Sequence, residues 1–451
     1  MNFKDLPLES QMLTTLDSLG YKNATPIQAE TLPLILEGKD IIAEAKTGSG
    51  KSAAFGIGLL SKLDVKKFRV QSLVLCPTRE LADQVAKELR RIARFKHNIK
   101  ILMLTGGESF GKQLGSLSHQ AHIVVGTPGR VLKHLNKKSL ELTNLKMFVL
   151  DEADRMLDMG FIEEVESVMA FTPKEKQILL FSATYNDEVL AVSRHIQKDA
   201  VCVKTTEIEA ANKIKEQFIA TQNKEDSFVK ILSEYKPTNV ILFTNTKIES
   251  KELAENLQRR GIDAIAIHGD LEQYERNDVL VQFANKSSPI LVATDVAARG
   301  LDIKELSMVV NYDTPHAIET YTHRIGRTAR AGAEGIAITL YSSYEQERAN
   351  KYRDGKRDFI EDADLKGSIT YKLKSHFVTL VIEGGKKDKL RAGDLLGALT
   401  GDAALMGSSI GKIDIYDRQA YVAIEAKFID DAYAALKRGK IKGKRFSVWI
   451  L

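Results

Sequence analysis

The sequence predicts an α/β chain built as two similar parallel-sheet domains followed by a small α+β domain of the split β-α-β kind. Three observations carry this. Between about residues 40 and 205, short apolar runs alternate with helix-compatible stretches, and several runs end in a small or polar cluster. A second set of the same kind follows a polar stretch near 205–215. From about residue 371 the order becomes strand, helix, strand, strand, helix, strand. The expected divisions are 1–205, a linker over 206–215, 216–345, a connector over 346–370, and 371–451.

In the first domain the strand-like runs are 41–43, 72–76, 99–104, 122–125, 147–150 and 177–181. A helix is expected over 80–95, where Leu81, Val85, Leu89 and Ile92 recur at helical spacing. Ligands of open parallel sheets sit beyond the carboxyl ends of the strands. The polar clusters fall there: Pro77-Thr78-Arg79-Glu80, Gly106-Gly107, Thr127-Pro128-Gly129-Arg130, Asp151-Glu152-Ala153-Asp154 and Ser182-Ala183-Thr184.

The strongest single signal is Ala45-Lys46-Thr47-Gly48-Ser49-Gly50-Lys51-Ser52, between an apolar run and a helix-compatible stretch. Glycines let backbone N–H groups wrap closely around an anion. Lys51 can then reach the β- and γ-phosphates of a nucleotide, and the Ser52 hydroxyl can ligate Mg²⁺. Ala45 stands where the general pattern begins with glycine. Asp151 ends its own apolar run about a hundred residues later, so it can hold the metal opposite Ser52. Glu152 is then free to act as general base on the attacking water.

The second domain repeats the strand pattern at 240–243, 263–267, 289–292, 307–310 and 335–340. It also holds His323-Arg324-Ile325-Gly326-Arg327-Thr328-Ala329-Arg330. Arg327 and Arg330 are three apart, so on a helix they share a face. An arginine brought to a transferring phosphoryl group is worth about 10³–10⁵ in rate. ATP would then clasp two domains that hydrolysis releases. The charge-dense stretch 344–364 is expected to form a helical connection.

Composition bounds the rest. A chain of 451 residues with 43% hydrophobic and 28% charged residues is ordinary for a globular protein of two or three domains. No apolar run approaches the roughly 20 residues that span a bilayer. Nor does the start of the chain resemble a secretory signal. Two cysteines are too few for a disulfide framework, and a reducing cytoplasm is the expected setting. The last 81 residues hold 15 Lys and Arg against 9 Asp and Glu, whereas the rest hold 50 against 51. The whole basic excess therefore sits in the tail, which suggests a polyanionic partner.

In order and spacing, these motifs resemble the DEAD-box RNA helicase family over roughly residues 1–345. Ala293-Thr294-Asp295-Val296-Ala297-Ala298-Arg299-Gly300-Leu301-Asp302 belongs to the same set. The resemblance implies two RecA-like domains that bind ATP with Mg²⁺ and hold single-stranded RNA. It identifies Gly20-Tyr21-Lys22-Asn23-Ala24-Thr25-Pro26-Ile27-Gln28 as the adenine-reading segment, with Gln28 on the adenine edge and Phe3 stacked on the ring. Ser182, Ala183 and Thr184 would couple hydrolysis to strand separation, and Asp302 would touch the ribose. Pro77, Thr78, Arg79, Gly107, Thr127, Gly129, Arg130 and Thr294 would follow the RNA backbone, and Gln273 and Arg276 match a further RNA motif. Backbone contacts position a strand without reading its bases. Three departures stand out: Lys46 for the usual glutamine, Ser52 for threonine, and Ala329 for glycine. None removes a catalytic group.

The tail resembles the C-terminal RNA-binding domain of one bacterial subfamily of these helicases. The match lies in Gly384-Gly385-Lys386-Lys387-Asp388-Lys389-Leu390-Arg391 through Thr400, in Ile410-Gly411-Lys412-Ile413 and in Lys440-Ile441-Lys442-Gly443-Lys444. It implies a hairpin of large-subunit ribosomal RNA as target, and pre-ribosomal particles as partners of a monomer. RNA-recognition domains stack bases on aromatics of their central strands. Here Tyr421 remains, but Gln419 and Ile424 stand where rings are expected, and the run 378–382 has none. Contacts then fall to Lys386, Lys387, Lys389, Arg391, Lys440, Lys442 and Lys444. Two other readings use the same folds: an ATP-gated RNA clamp or general RNA chaperone, and a DNA translocase.

Overall fold

A computed structural model describes residues 1–44, 48–204, 214–298, 306–328, 334–401 and 405–451, apart from the side chains of Val296 and Glu319. They fall in two compact units, one ending at Lys204 and the other running from Ile214.

The first unit holds β1 (Ile41–Glu44), β2 (Ser72–Leu75), β3 (Ile101–Leu104), β4 (Ile123–Gly126), β5 (Met147–Asp151), β6 (Gln177–Ser182) and β7 (Val201–Lys204). They form one sheet in the order β3-β4-β2-β5-β6-β1-β7, and every pairing is parallel. Such a sheet is covered on both faces, so its strands read as continuous apolar runs. Successive residues then serve opposite cores: Leu179 and Phe181 pack with Phe55 and Leu89, whereas Ile178 and Leu180 pack with Val131 and Met156. The helix expected over 80–95 spans Arg79–Ile92 and ends in a 3₁₀ turn, Ala93–Phe95. Thr78 starts it by accepting the Leu81 N–H on Oγ1 at 3.2 Å.

The second unit opens with a sheet of β8 (Ile214–Ala220), β9 (Val240–Thr244), β10 (Ala264–Ile267), β11 (Ile290–Thr294), β12 (Met308–Asn311), β13 (Gly335–Tyr341) and β14 (Asp358–Glu361). The order is β10-β11-β9-β12-β13-β8-β14, again parallel throughout. Of the linker expected over 206–215, Ile214 and Lys215 already belong to β8, and 206–213 lie outside the described residues.

One expectation is corrected here. The stretch 344–364 is not a helical connection: its α-helix is only Gln346–Asn350, and Asp358–Glu361 becomes the edge strand β14 beside β8. Gly355 turns the chain with φ +76. Phe359 then stacks on Phe218 at 4.8 Å, under the guanidinium of Arg353 at 4.2 Å. The aromatic anchor outweighs the charged pattern that suggested a helix. Residues 346–370 therefore belong largely to the second sheet domain. Farther on, Gly367 passes so close to the preceding layer that a Cβ there would lie 1.8 Å from the Lys230 carbonyl oxygen.

The tail holds β15 (Phe377–Ile382), β16 (Ile410–Ile415), β17 (Ala420–Glu425) and β18 (Val448–Ile450), antiparallel in the order β16-β17-β15-β18. This is the split β-α-β arrangement. Leu380, Ile382 and Val422 face a core closed by Leu395 and Leu399 of helix Ala392–Gly401 and Leu436 of helix Ile429–Arg438. The opposite face is partly covered. Val381 and Tyr421 pack with Val281 of helix Gln273–Ala284 in the second sheet domain, beside Trp449 and Leu451. Tyr421 donates its hydroxyl to Asp278 Oδ1 at 2.7 Å, and Asn285 Nδ2 donates to Thr379 Oγ1 at 2.8 Å.

Candidate nucleotide site and RNA interface

The phosphate loop leaves β1 and re-enters a helix at Lys51–Ser61. Ala45, Lys46 and Thr47 lie outside the described residues, as do Asp302, Ala329 and Arg330. Gly48 and Gly50 take φ of +91 and +94, the left-handed region that favours glycine. Gln28 Nε2 donates to the Gly50 carbonyl at 3.0 Å, and a Cβ on Gly50 would lie 2.5 Å from that same nitrogen. The other end of the amide is also used, since Gln28 Oε1 accepts the Thr25 N–H at 2.9 Å. The amide expected to read adenine thus touches the phosphate loop itself.

Lys51 is buried, with Nζ 3.0 Å from Asp151 Oδ1 and 3.9 Å from Glu152 Oε1. Burial opposes its charge, but Asp151 and Glu152 outweigh it and hold the ammonium above its usual range. Burial pushes the Asp151 carboxyl up, against the pull of Lys51. Among the described residues neither Asp151 oxygen has a well-formed hydrogen bond, so the ion pair with Lys51 is its main partner. A buried carboxylate of this kind, opposite a phosphate-loop ammonium and the half-buried Ser52, fits a nucleotide with a divalent cation.

Glu152 follows β5 in a left-handed conformation, φ +57, and its Oε2 accepts Arg155 Nη1 at 2.8 Å. Asp154 accepts the Ala183 N–H at 3.2 Å and the Thr184 hydroxyl at 3.4 Å on one oxygen, Oδ2. Ser182, Ala183 and Thr184 leave β6, which lies between β5 and β1. The segment expected to couple hydrolysis to unwinding is therefore bonded to the segment carrying the expected base.

The expected RNA contacts of this unit follow β2, β3 and β4, in the other half of the sheet. Arg79 is exposed and lies against Gly106, where a Cβ would be 2.9 Å from Arg79 Nη2. Arg130 Nη1 donates to the Glu108 carbonyl at 3.0 Å and to Gln113 Oε1 at 2.8 Å. Pro77 and Thr78 are buried, while Gly107 and Gly129 are exposed. Thr127 caps the helix Pro128–Asn136. Phe3 differs from expectation. It is 2% exposed and meets Tyr21 edge-on at 6.2 Å, so the ring packs in the core and presents no face for stacking.

In the second unit Arg276 donates to the carbonyls of His268 and Ala297 at 3.3 and 3.5 Å. Gln273 starts the same helix, and Thr294 ends β11. The helix expected to align Arg327 with Arg330 ends at Ile325, because Gly326 caps it and Arg327 lies in the following turn. The shared helical face is withdrawn for that reason. Sequence reasoning passed over Arg324. It is buried, pairs with both oxygens of Asp295 at 2.7 Å and donates to Asn311 Oδ1 at 3.1 Å. A buried arginine looks like an exposed one in sequence. Only the carboxylate at Asp295 hinted at a partner.

On the tail, all seven expected basic residues are exposed. Lys387, Lys389, Lys442 and Lys444 line a cavity of about 300 Å³ together with Asp388, Leu390, Ile441 and Phe446. Lys442 and Gly443 take φ of +52 and +78, a tight turn that brings Lys442 Nζ to the Lys389 carbonyl at 2.8 Å.

Family models now account for most of the chain. Residues 25–192 match the DEAD/DEAH box helicase model, 223–332 the helicase conserved C-terminal domain and 379–450 the DbpA RNA binding domain. Two parallel-sheet units carrying a phosphate loop, an acidic strand end and paired RNA motifs define a class. The chain belongs to the DEAD-box family and is an ATP-dependent RNA helicase. It is 48% identical over 447 residues to the ATP-dependent RNA helicase DbpA of Escherichia coli, covering 98% of both chains. The DEAD-box helicase CshA of Bacillus cereus is 46% identical over 76% of this chain and 66% of its own. Among solved structures, Saccharomyces cerevisiae Dbp5 bound to RNA and ADP BeF3 matches with a TM-score of 0.71 and 32% identity, covering 80% of this chain and 95% of that one. RNA is therefore a partner of this chain and ATP its fuel. No helix among the described residues is long and apolar enough to cross a membrane.

Proposed function

We propose that the chain remodels large-subunit ribosomal RNA during ribosome assembly, held by its tail to a hairpin of that RNA within pre-ribosomal particles. The observation that carries this is the tail cavity. Four lysines suit phosphates, and Leu390, Ile441 and Phe446 offer an apolar floor for one unstacked base. Tyr421, the aromatic on the sheet face that would normally stack bases, is turned to Asp278. The basic loops are what remains. The resemblance of the tail to its subfamily supports the ribosomal target.

In the core, Lys51 and Ser52 with Asp151 would hold ATP and Mg²⁺. The cation would neutralise charge on the phosphates, and Glu152 would take the proton of the attacking water. Gln28 would read adenine, and Arg327 and Arg330 would bear on the phosphates. Arg79, Gly107, Gly129, Arg130, Arg276 and Thr294 would follow the RNA backbone. A monomer working in the cytoplasm fits this reading.

The test compares ATPase stimulation by ribosomal RNA with the hairpin, the same RNA without it, and homopolymer. Stimulation limited to the hairpin-bearing RNA and lost in Lys387→Ala/Lys444→Ala is the expected result. Equal stimulation by all three RNAs, unchanged by the substitutions, would leave a general RNA helicase without ribosomal targeting.

A further inference from the structure

Glu152 is gripped by a neighbouring arginine. Its φ of +57 is uncommon for a residue with a side chain, and it places the carboxylate back over the first turn of helix Ala153–Asp158. There Arg155 donates Nη1 to Oε2 at 2.8 Å, and both side chains are under 5% exposed. The other oxygen, Oε1, faces the Lys51 ammonium at 3.9 Å. The two oxygens are therefore not equivalent: one belongs to the arginine, the other to the side where the phosphate loop lies.

The geometry points to Arg155 as a positioning residue for hydrolysis, pinning Oε2 so that Oε1 is the oxygen presented to the attacking water. This role rests on the reading of Glu152 as the base. The last torsion of a glutamate is broad and nearly two-fold, so an untethered carboxylate samples many orientations. A buried guanidinium is a rigid planar donor, and its charge-assisted bond is roughly twice as strong as a neutral one. The turn that carries Arg155 is anchored, since the Arg155 backbone N–H bonds Asp154 Oδ1 at 3.0 Å while Asp154 Oδ2 receives the Ala183 N–H. The base is thus oriented by a residue tied to the segment after β6. A water misplaced by about 1 Å can cost about 10²-fold in rate, so one such anchor is kinetically visible.

A purely structural ion pair would leave a different mark. Removing it would weaken nucleotide binding and folding together, whereas removing an orienting contact lowers kcat alone. The experiment uses the full chain as Arg155→Met, Arg155→Lys, Glu152→Gln and the double variant Glu152→Gln/Arg155→Met. At saturating RNA, kcat and KM for ATP are measured, with equilibrium binding of the non-hydrolysable analogue AMP-PNP.

Arg155→Met should lower kcat by about 10–100-fold, with KM and analogue affinity within about twofold. Arg155→Lys keeps the charge on a shorter reach and should fall between it and the parent. Should the Met variant not fold, the Lys variant carries the same split between kcat and KM. In the Glu152→Gln background Arg155→Met should add no further loss. Full kcat in Arg155→Met overturns the role, and so does a loss shared by kcat, KM and AMP-PNP affinity. Turnover surviving in Glu152→Gln would instead remove the base assignment, whatever Arg155 does.

Discussion

His134 shows how one side chain behind the expected RNA contact Arg130 is held neutral. Its ring stacks on Phe110 at 4.2 Å, and its nitrogens meet Gln113 Oε1 at 3.1 Å and Ser139 Oγ at 2.9 Å. Burial, then the positive charges of Arg130 and Lys133, push its pKa from 6.5 to about 4. The sign follows from linkage: between pH 6.5 and about 4 the unfolded chain binds a proton that the folded chain refuses. The stabilising contribution of neutral His134 is whole above pH 6.5 and is lost as pH falls toward 4. His134→Gln should therefore cost most near pH 7 and least near pH 4. Thermal melts of both proteins at several pH values would show the gap narrowing, and a constant gap would place the proton elsewhere. Gln113 also accepts from Arg130, so the same neutral ring helps fix an expected RNA contact.

At the scale of elements, helix Gln273–Ala284 does two jobs. Its first turns carry Gln273 and Arg276, and its later residues Asp278 and Val281, with Asn285 at its C-cap, dock the tail sheet. Thr379 is fully buried in that seam and also donates to Ser287 Oγ at 2.7 Å. Asn285→Ala would leave a buried hydroxyl short of a partner, at a cost of about 1–3 kcal/mol. Urea unfolding of the second unit should register this loss while KM for ATP stays unchanged. An unchanged midpoint would mean that the docking face tolerates water. This seam was not legible in the sequence. Alternation within 378–382 announces a strand with two faces, but it does not say that Thr379 and Val381 will meet another domain. By contrast β2, β5 and β6 were legible almost to the residue, because strands buried on both faces read as unbroken apolar runs. Strands β7, β8 and β14 escaped for the complementary reason. They sit at or near a sheet edge, carry polar residues such as Lys204, Lys215 and Glu361, and owe their pairing to neighbours rather than to their own pattern. Lys51 was readable from the glycine-rich loop it ends, and Asp151 and Glu152 from the apolar run before them. Arg155 was readable only as a charge three residues from Glu152, and Phe3 as an aromatic with no sign of which way it faces.

For the molecule as a whole, the charge distribution separates two kinds of RNA contact. The first 370 residues are nearly neutral, and the surplus lies in the last 81. Contacts expected of the core include only a few arginines, whereas those expected of the tail are lysines that displace condensed counterions. Each phosphate neutralised on a single strand contributes a slope of about −0.7 to log affinity against log salt. The four lysines around the tail cavity therefore predict a slope near about −3 for RNA binding without nucleotide. Each Lys→Ala there should reduce the slope by about 0.7 with little change in stability, since exposed charges contribute little to folding. Lys442 is the informative exception. Its ammonium also reaches the Lys389 carbonyl and lies 3.5 Å from Asp394, so its loss should loosen the turn as well as the slope. Fluorescence anisotropy of a labelled RNA hairpin between 50 and 300 mM salt, on the order of the range where such slopes are read, distinguishes the cases. A flat response would exclude the lysine cavity as the main contact. A steep response surviving all four substitutions would move the contact to other exposed cations of the tail, such as Lys386, Arg391 and Lys440.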